Sequence, residues 1–310
     1  MTTITELCAV ATDKSRFVSI QNYIDFSKWF LEFISDSNNY EARIISRKEN
    51  NYKFYQYKSE ASYNVTRPVN GDLFLSEAKA DFAFAFFRDV LRDTERLRGL
   101  NNEEGALLNA VIYTLQQSIG CALDALPASK NNVAKKINGD LFERLMLYIF
   151  QEMGFYVMGL VENLQIEDFQ MKYQHDLFFQ KEGALKAIGS VKTSGKDRLD
   201  KVFLDKLFYN KLKRVDVPHF AIFLGDVQRS GRESDYGVSQ TFLPGHFKAY
   251  TLAMNPLDGV YYCDLRPIMK TDRLLKQEIK RLDELLCRDI WSLMGMDEYG
   301  GNKQEVYGNI

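Results

Sequence analysis

Long apolar runs, histidine, paired cysteine and net charge are all scarce in this sequence, and each shortage removes a class of function. No apolar run approaches the roughly eighteen residues that read as a bilayer span, and the opening Met1-Thr2-Thr3-Ile4-Thr5-Glu6 lacks the basic and apolar regions of a signal peptide. The expectation is a cytoplasmic protein with no membrane role. Cys8, Cys121, Cys263 and Cys287 form no Cys-x-x-Cys pair, and only His175, His219 and His246 are there to join them. A structural zinc site therefore has little support, and the cysteines read as buried free thiols. The net charge of −2 excludes bulk attraction to a polyanion, so a nucleic-acid partner would need a local basic surface.

What the chain does have is 310 residues with 45% hydrophobic content, enough for a real core. Apolar positions recur at three and four residue intervals over 21–36, which argues an amphipathic helix. Residues 40–66 turn β-branched and aromatic and predict short strands around a Glu49-Asn50-Asn51 turn. Helices are expected over 76–98, capped by Ser76, and over 102–123. The polar Pro127-Ala128-Ser129-Lys130-Asn131-Asn132 segment is the best break between a mostly helical region, 1–128, and the rest of the chain. Beyond it the pattern predicts a buried helix over 139–153 ended by Gly154, strands near 171–179 and 185–192, a helix over 197–214, and a buried strand over 218–225. A long polar loop is expected over 226–240, a strand near 260–264, and a charged amphipathic helix over 271–294. The expected divisions are thus 1–128, a core over 129–275, and a C-terminal helix and tail over 276–310. Trp29 and Trp291 fall on amphipathic helices and read as core residues.

The chemistry concentrates between Met171 and Asp205. Asp176 starts Asp-Leu-Phe-Phe on the first strand of a hairpin, and Lys192 ends the second, where alternation sets Ile188, Ser190 and Lys192 on one face. Adjacent strands would bring carboxylate and ammonium together at the sheet's end. After a Thr-Ser-Gly turn a helix opens with Lys196-Asp197-Arg198. On that helix Lys201 and Asp205 lie within about 60° of Arg198, with Phe203, Leu204, Leu207 and Phe208 opposite. From Lys192 to Arg214 eight basic residues face three acidic ones, a local +5. Two carboxylates beside a lysine have a definite use in phosphodiester hydrolysis, where they hold Mg²⁺ while the lysine orients water or stabilises developing charge.

In these residues the chain resembles the PD-(D/E)xK nucleases, in the variant found in type II restriction endonucleases that recognise CCGG or CCNGG. That group carries a small residue where relatives have their second acid and takes the carboxylate from the following helix, as Ser190 and Asp205 would here. The resemblance covers about 70 residues, from Gly139 to Arg214. It implies an α/β (α+β) restriction-endonuclease-like core, a mixed sheet flanked by helices, behind a mostly helical N-terminal region used for DNA binding or dimerisation. It assigns Asp176, Lys192, Asp205, Glu143 and Ser190 to catalysis, with Asp176, Asp205 and Glu143 on Mg²⁺. Lys196, Asp197, Arg198 and Lys201 would contact DNA, Arg198 at a guanine and Asp197 at a cytosine amino group. The spacing from lysine to helix acid favours the CCNGG readers. A homodimer, or a tetramer of such dimers, would match a palindromic site cut before CC to leave 5′ overhangs in double-stranded DNA, with a cognate DNA methyltransferase as the counterpart.

The sequence departs from that pattern in three places. His175 stands where proline is usual, Asp205 is shorter than the usual glutamate, and Lys196 replaces a commoner arginine. Lysine has no rigid two-pronged donor, so Lys196 reads either as a base contact or as a phosphate contact. Each residue also has a plain reading, Asp176 as a turn residue, Lys192 and the charged helix arc as solvated surface, Glu143 as an ion-pair partner. The loop over 226–240, with Gln228, Arg229, Arg232 and Gln240, is either a second DNA-contacting segment or a solvated surface. Two other functions fit the same residues: a repair nuclease that selects DNA structure, and a DNA-binding protein without catalysis.

Overall fold

The computed structural model describes residues 3–36, 42–45, 51–58, 63–196, 198–231 and 236–296. The expected Glu49-Asn50 turn, Asp197, Arg232 and the C-terminal tail lie outside them. The chain begins with α1 (Ile4–Thr12), closed by a Thr3–Glu6 capping box, and α2 (Ile20–Ser35). A small antiparallel sheet comes next, from β1 (Ala42–Ile45), β2 (Tyr52–Lys58), β3 (Tyr63–Val65) and β4 (Val69–Asn70). The helix expected over 76–98 is two helices, α3 (Glu77–Arg92) and α4 (Thr94–Arg98). Asp93 breaks it, because its carboxylate accepts from the Arg96 N–H and restarts the chain as an N-cap; Ser76 makes no such side-chain bond.

Next, α5 (Asn102–Leu123) runs through the core. It is long and apolar enough to cross a membrane by composition alone, but most of its apolar window is buried inside the protein. The polar break shifts to 124–130, and α6 (Asn131–Glu152) starts eight residues before the helix the sequence predicts. Its buried face, with Leu141, Phe142, Leu145, Met146, Ile149 and Phe150, packs against α5 and the main sheet. Long-range bonds hold α6 in place, among them Tyr23 OH donating to Leu141 O at 2.9 Å, Arg144 Nη1 to Lys14 O at 2.5 Å, and Gln116 Nε2 to Asn138 O at 2.9 Å.

The main sheet comes from β5 (Tyr156–Ile166), β6 (Phe169–Lys181), β7 (Ala184–Lys192), β8 (His219–Phe223), β11 (Gly259–Tyr262) and β12 (Ile279–Arg281), in spatial order β12-β11-β8-β7-β6-β5. β5, β6 and β7 form an antiparallel meander, and β7, β8, β11 and β12 are parallel, so the sheet is mixed. The β7-to-β8 crossover is α7 (Leu199–Lys213). Alternation divides β8 between two cores: Phe220 and Ile222 join the large cluster with α1, α2, α3, α5 and α6, while Ala221 and Phe223 face a second cluster with α7 and with α8 (Pro244–Ala253). All four cysteines are buried and free, and Trp291 is buried with its indole N–H on Leu286 O.

Four further elements differ from expectation. β5 is absent from the sequence pattern, because its Glu162, Asn163 and Gln165 dilute the apolar alternation of a strand that faces solvent along much of its length. The loop expected over 226–240 contains a hairpin, β9 (Val227–Ser230) paired with β10 (Gly237–Gln240). The helix expected over 271–294 is interrupted by β12, which pairs with β11 and is flanked by the short α9 (Pro267–Thr271) and α10 (Arg273–Glu278) and a helical stretch over 282–293. On α7 the buried side is Leu199, Val202, Phe203, Lys206 and Tyr209, while Leu204 and Leu207 are exposed. Lys206 is buried against Asp258 at 2.7 Å and so leaves the basic surface that the sequence predicts.

Candidate active site and its cleft

A β-bulge decides where Asp176 points. Met158 pairs with Phe178 and Leu160 with His175, so Asp176 and Leu177 together oppose Gly159. The extra residue on β6 breaks the alternation. Phe178 packs toward α7, and the next side chain to do so is His175, whose ring lies 5.4 Å from Phe178 and 5.1 Å from Tyr209. Asp176 is turned out of that layer. The last β6–β7 pair in this direction is Leu177 with Gly189, and continuing the register sets Asp176 opposite Ser190. Beyond it the Asp176 carboxylate takes over the ladder's role, with Oδ2 accepting the Val191 N–H at 2.9 Å.

The same oxygen accepts from Lys192 Nζ in a short contact, and Lys192 Nζ also lies 3.3 Å from Glu143 Oε1 on α6. Strand β6, strand β7 and helix α6 thus each contribute one charged group to a half-buried trio. The electrostatics follow from the packing. Burial pushes the Glu143 carboxyl up to about 7, Asp176 adds to that shift, and Lys192 opposes it. Burial draws the Lys192 ammonium down, but the two carboxylates outweigh it and its pKa is raised.

Asp205 stands apart from the trio. The Tyr173 hydroxyl lies near the Asp205 carboxylate, and burial followed by Asp205 raises the tyrosine's pKa, with a further push from Asp176. Lys201 Nζ lies 3.6 Å from Asp205 on the next turn of α7. Asp205 therefore reaches the neighbourhood of Asp176 through Tyr173 and not by direct contact. Behind Asp176, His175 Nε2 is 2.7 Å from Glu162 Oε2, and Glu162 Oε1 accepts from Lys213 at 3.2 Å.

Glu143 and Lys192 open onto a cleft of about 910 Å³. Lys196, Arg198 and Gln228 line the same cleft, with Arg67 and Tyr113 from the N-terminal region and Lys135 from the start of α6. No local sequence pattern marks those last three. Arg67 is held in a two-pronged pair with Asp124, at 2.9 Å on both oxygens. Arg198 is exposed at the N-cap position of α7. Lys196 Nζ donates to Gln228 Oε1 at 3.0 Å. Arg229 donates to Val65 O and stacks over the Tyr236 ring at 5.0 Å, which ties the hairpin to β3.

One buried residue holds this rim. Asp226 accepts from the Gly195 N–H at 2.5 Å and from the hydroxyls of Tyr262 at 2.6 Å, Ser194 at 3.2 Å and Thr241 at 3.4 Å. A β-carbon at Gly195 would come within 2.8 Å of Asp226 Oδ2, so only glycine allows that approach.

Among the described residues no group of three or more His, Cys, Asp or Glu side chains is gathered to hold a metal ion. Asp176 and Glu143 nonetheless fit Mg²⁺. Their donors are hard oxygens, and this ion takes one or two carboxylates and completes its shell with water and substrate phosphate. Burial first and then the neighbouring Asp176 raise the Glu143 pKa, and a divalent cation would oppose both by favouring the ionised carboxylate.

No family model and no curated protein sequence matches this chain. Among solved structures it is similar to one described as the crystal structure of the Type IIP restriction endonuclease Kpn2I, with a TM-score of 0.68 and 18% sequence identity over 94% of this chain and 97% of that one. At that identity the likeness establishes architecture. The chain has a restriction-endonuclease fold, a mixed sheet flanked by helices, over nearly its whole length.

Proposed function

We propose that this protein is a type II restriction endonuclease, a Mg²⁺-dependent hydrolase of double-stranded DNA. Its site is a palindrome with a CCNGG or CCGG core, cut before CC to leave 5′ overhangs. The observation that carries the reading is the meeting of Asp176, Lys192 and Glu143 beside a cleft whose rim holds Lys196 and Arg198. The fold likeness to a restriction endonuclease supports it.

In this reading Asp176 and Glu143 would hold Mg²⁺, and Asp205 would join them by exchanging Tyr173 and Lys201 for the ion. The ion, when bound, supplies Lewis-acid polarisation of the scissile phosphate. Lys192, held between the two carboxylates, orients the attacking water and stabilises charge growing on the phosphate oxygens. The water oxygen bonds to phosphorus as the bond to the 3′ oxygen breaks, leaving a 5′ phosphate and a 3′ hydroxyl. Ser190, opposite Asp176, keeps that position small and uncharged. Arg198 and Asp197 read a guanine and a cytosine amino group, and Lys201 contacts the backbone. A homodimer or tetramer supplies one such site per strand, and a methyltransferase of the same specificity would protect the host's DNA.

The test is digestion of a fully sequenced plasmid or phage DNA with the purified protein and Mg²⁺, with fragment ends read by sequencing. Discrete cuts before a shared CC are expected. Degradation without a preferred site would favour a repair nuclease, and intact DNA with every divalent ion would favour a DNA-binding protein without catalysis.

A further inference from the structure

Lysine is a poor substitute for arginine in base reading, because one ammonium cannot present a fixed two-pronged donor. In this chain Lys196 does not act alone. Its Nζ donates to Gln228 Oε1 at 3.0 Å, and both side chains are exposed and line the cleft with Glu143, Lys192 and Arg198. An ammonium has no acceptor, so the amide oxygen must be the atom that faces it. The Gln228 Nε2 amino group is therefore left to point elsewhere. Beside the remaining N–H groups of Lys196, the pair offers two neighbouring donors, with the amide oxygen turned onto the ammonium.

The two residues lie 32 positions apart, yet their spacing is fixed from below. The Lys196 N–H donates to Ser194 Oγ at 3.1 Å, and Asp226, two residues before Gln228, binds both Ser194 and the Gly195 N–H. The Asp226 carbonyl accepts from Thr241 N at 3.0 Å, just beyond β10, which closes the base of the hairpin that carries Gln228. One buried carboxylate thus joins the turn that bears Lys196 to the strand that bears Gln228.

In the major groove only guanine presents two adjacent acceptors, N7 and O6; adenine sets a donor beside its acceptor, cytosine shows a donor, and thymine one acceptor with a methyl group. We propose that Lys196 and Gln228 form a composite reader of one guanine, with Gln228 supplying the second prong that a guanidinium would carry by itself. This rests on the nuclease reading above.

The experiment compares wild type with Lys196→Ala, Gln228→Ala, the double variant, and Lys196→Arg with and without Gln228→Ala. Each is assayed on duplexes mismatched one base pair at a time and on duplexes with 7-deazaguanine at single positions. Gln228→Ala should lose about tenfold in discrimination, at the same guanine that Lys196→Ala relaxes. The double variant should be no worse than the more damaging single change. In the Lys196→Arg background Gln228→Ala should have no effect, and 7-deazaguanine at that position should weaken wild type but not the double variant. Unchanged discrimination in Gln228→Ala, relaxation at a different base pair, or uniform weakening at all sites would overturn the composite reader while leaving the nuclease intact. If wild type itself cuts no DNA, or cuts without a site, the underlying reading fails and takes this one with it.

Discussion

The floor of the cleft and its rim are built on opposite principles. Glu143, Asp176 and Lys192 sit on a helix and two paired strands, with side chains 25%, 10% and 14% exposed, and Lys192 touches both carboxylates directly. Lys196, Arg198 and Gln228 are exposed, carried on a turn, a helix start and a hairpin, and they are positioned through their backbones by Asp226 beneath them. On the proposed function, the difference reflects what each region would do. Charge aimed at a reacting phosphate is most effective when preorganised in a low dielectric. Donors that read bases must instead remain accessible until DNA displaces their water.

The largest effect should come from the floor. Lys192→Ala or Asp176→Ala is expected to slow cleavage at least about a thousandfold while site-specific binding persists. Parallel gel-shift and cleavage assays would check this, and loss of binding in step with cleavage would mean that floor and rim are not separable. A smaller loss is expected for Asp205→Asn, about a hundredfold and partly recovered at high Mg²⁺, since its carboxylate must leave Tyr173 before it can serve the ion. Wild-type cleavage by Asp205→Asn at limiting Mg²⁺ would make the floor complete without α7.

The two regions also differ in how far sequence reveals them. Asp176 and Lys192 are legible because a hairpin joins them, and its register brings the middle of β6 near the end of β7. Glu143 is legible as a lone acid on a buried helix, although its distance to Lys192 depends on how α6 packs against the sheet. The bulge on β6 opposite Gly159 is not legible, because it depends on pairing with a strand whose alternation is too polar to read, and it is what separates Asp176 from the side occupied by His175. At the rim, Lys196 and Arg198 are visible as a triplet, whereas their link to Gln228 through Asp226 arises only when β8 brings residue 226 beside residue 195. β12 escapes for the same reason, since three residues become a strand only by pairing with β11.

A rim variant sharpens the comparison from the other side. Arg198→Ala should cost about 1 to 3 kcal/mol of discrimination at one guanine, with the maximal rate on the preferred site little changed. Binding measured on single-mismatch duplexes would check it. Weakening that is equal on every sequence, with a reduced salt dependence, would make Arg198 a phosphate contact.

The smallest expected effect is thermodynamic. Glu143 is raised to about 7 in the folded protein from a value near 4.5. A carboxyl raised on folding contributes stability that is fully present below the unfolded value and is lost as pH rises through the folded one. Without divalent ions the protein should therefore lose on the order of 1 kcal/mol, or about 2 °C in melting temperature, between pH 5 and 8. His219 contributes with the opposite sign in part of that window, because burial lowers it to about 4 and folding gains as an unfolded histidine loses its proton. The difference between wild type and Glu143→Gln isolates the carboxyl, since the amide keeps the shape and can still accept from Lys192 while it cannot titrate. Mg²⁺ should abolish that difference in slope by favouring the ionised form. A wild-type slope identical to that of Glu143→Gln, with or without Mg²⁺, would remove Glu143 from the charged floor and leave it as a packing residue of α6.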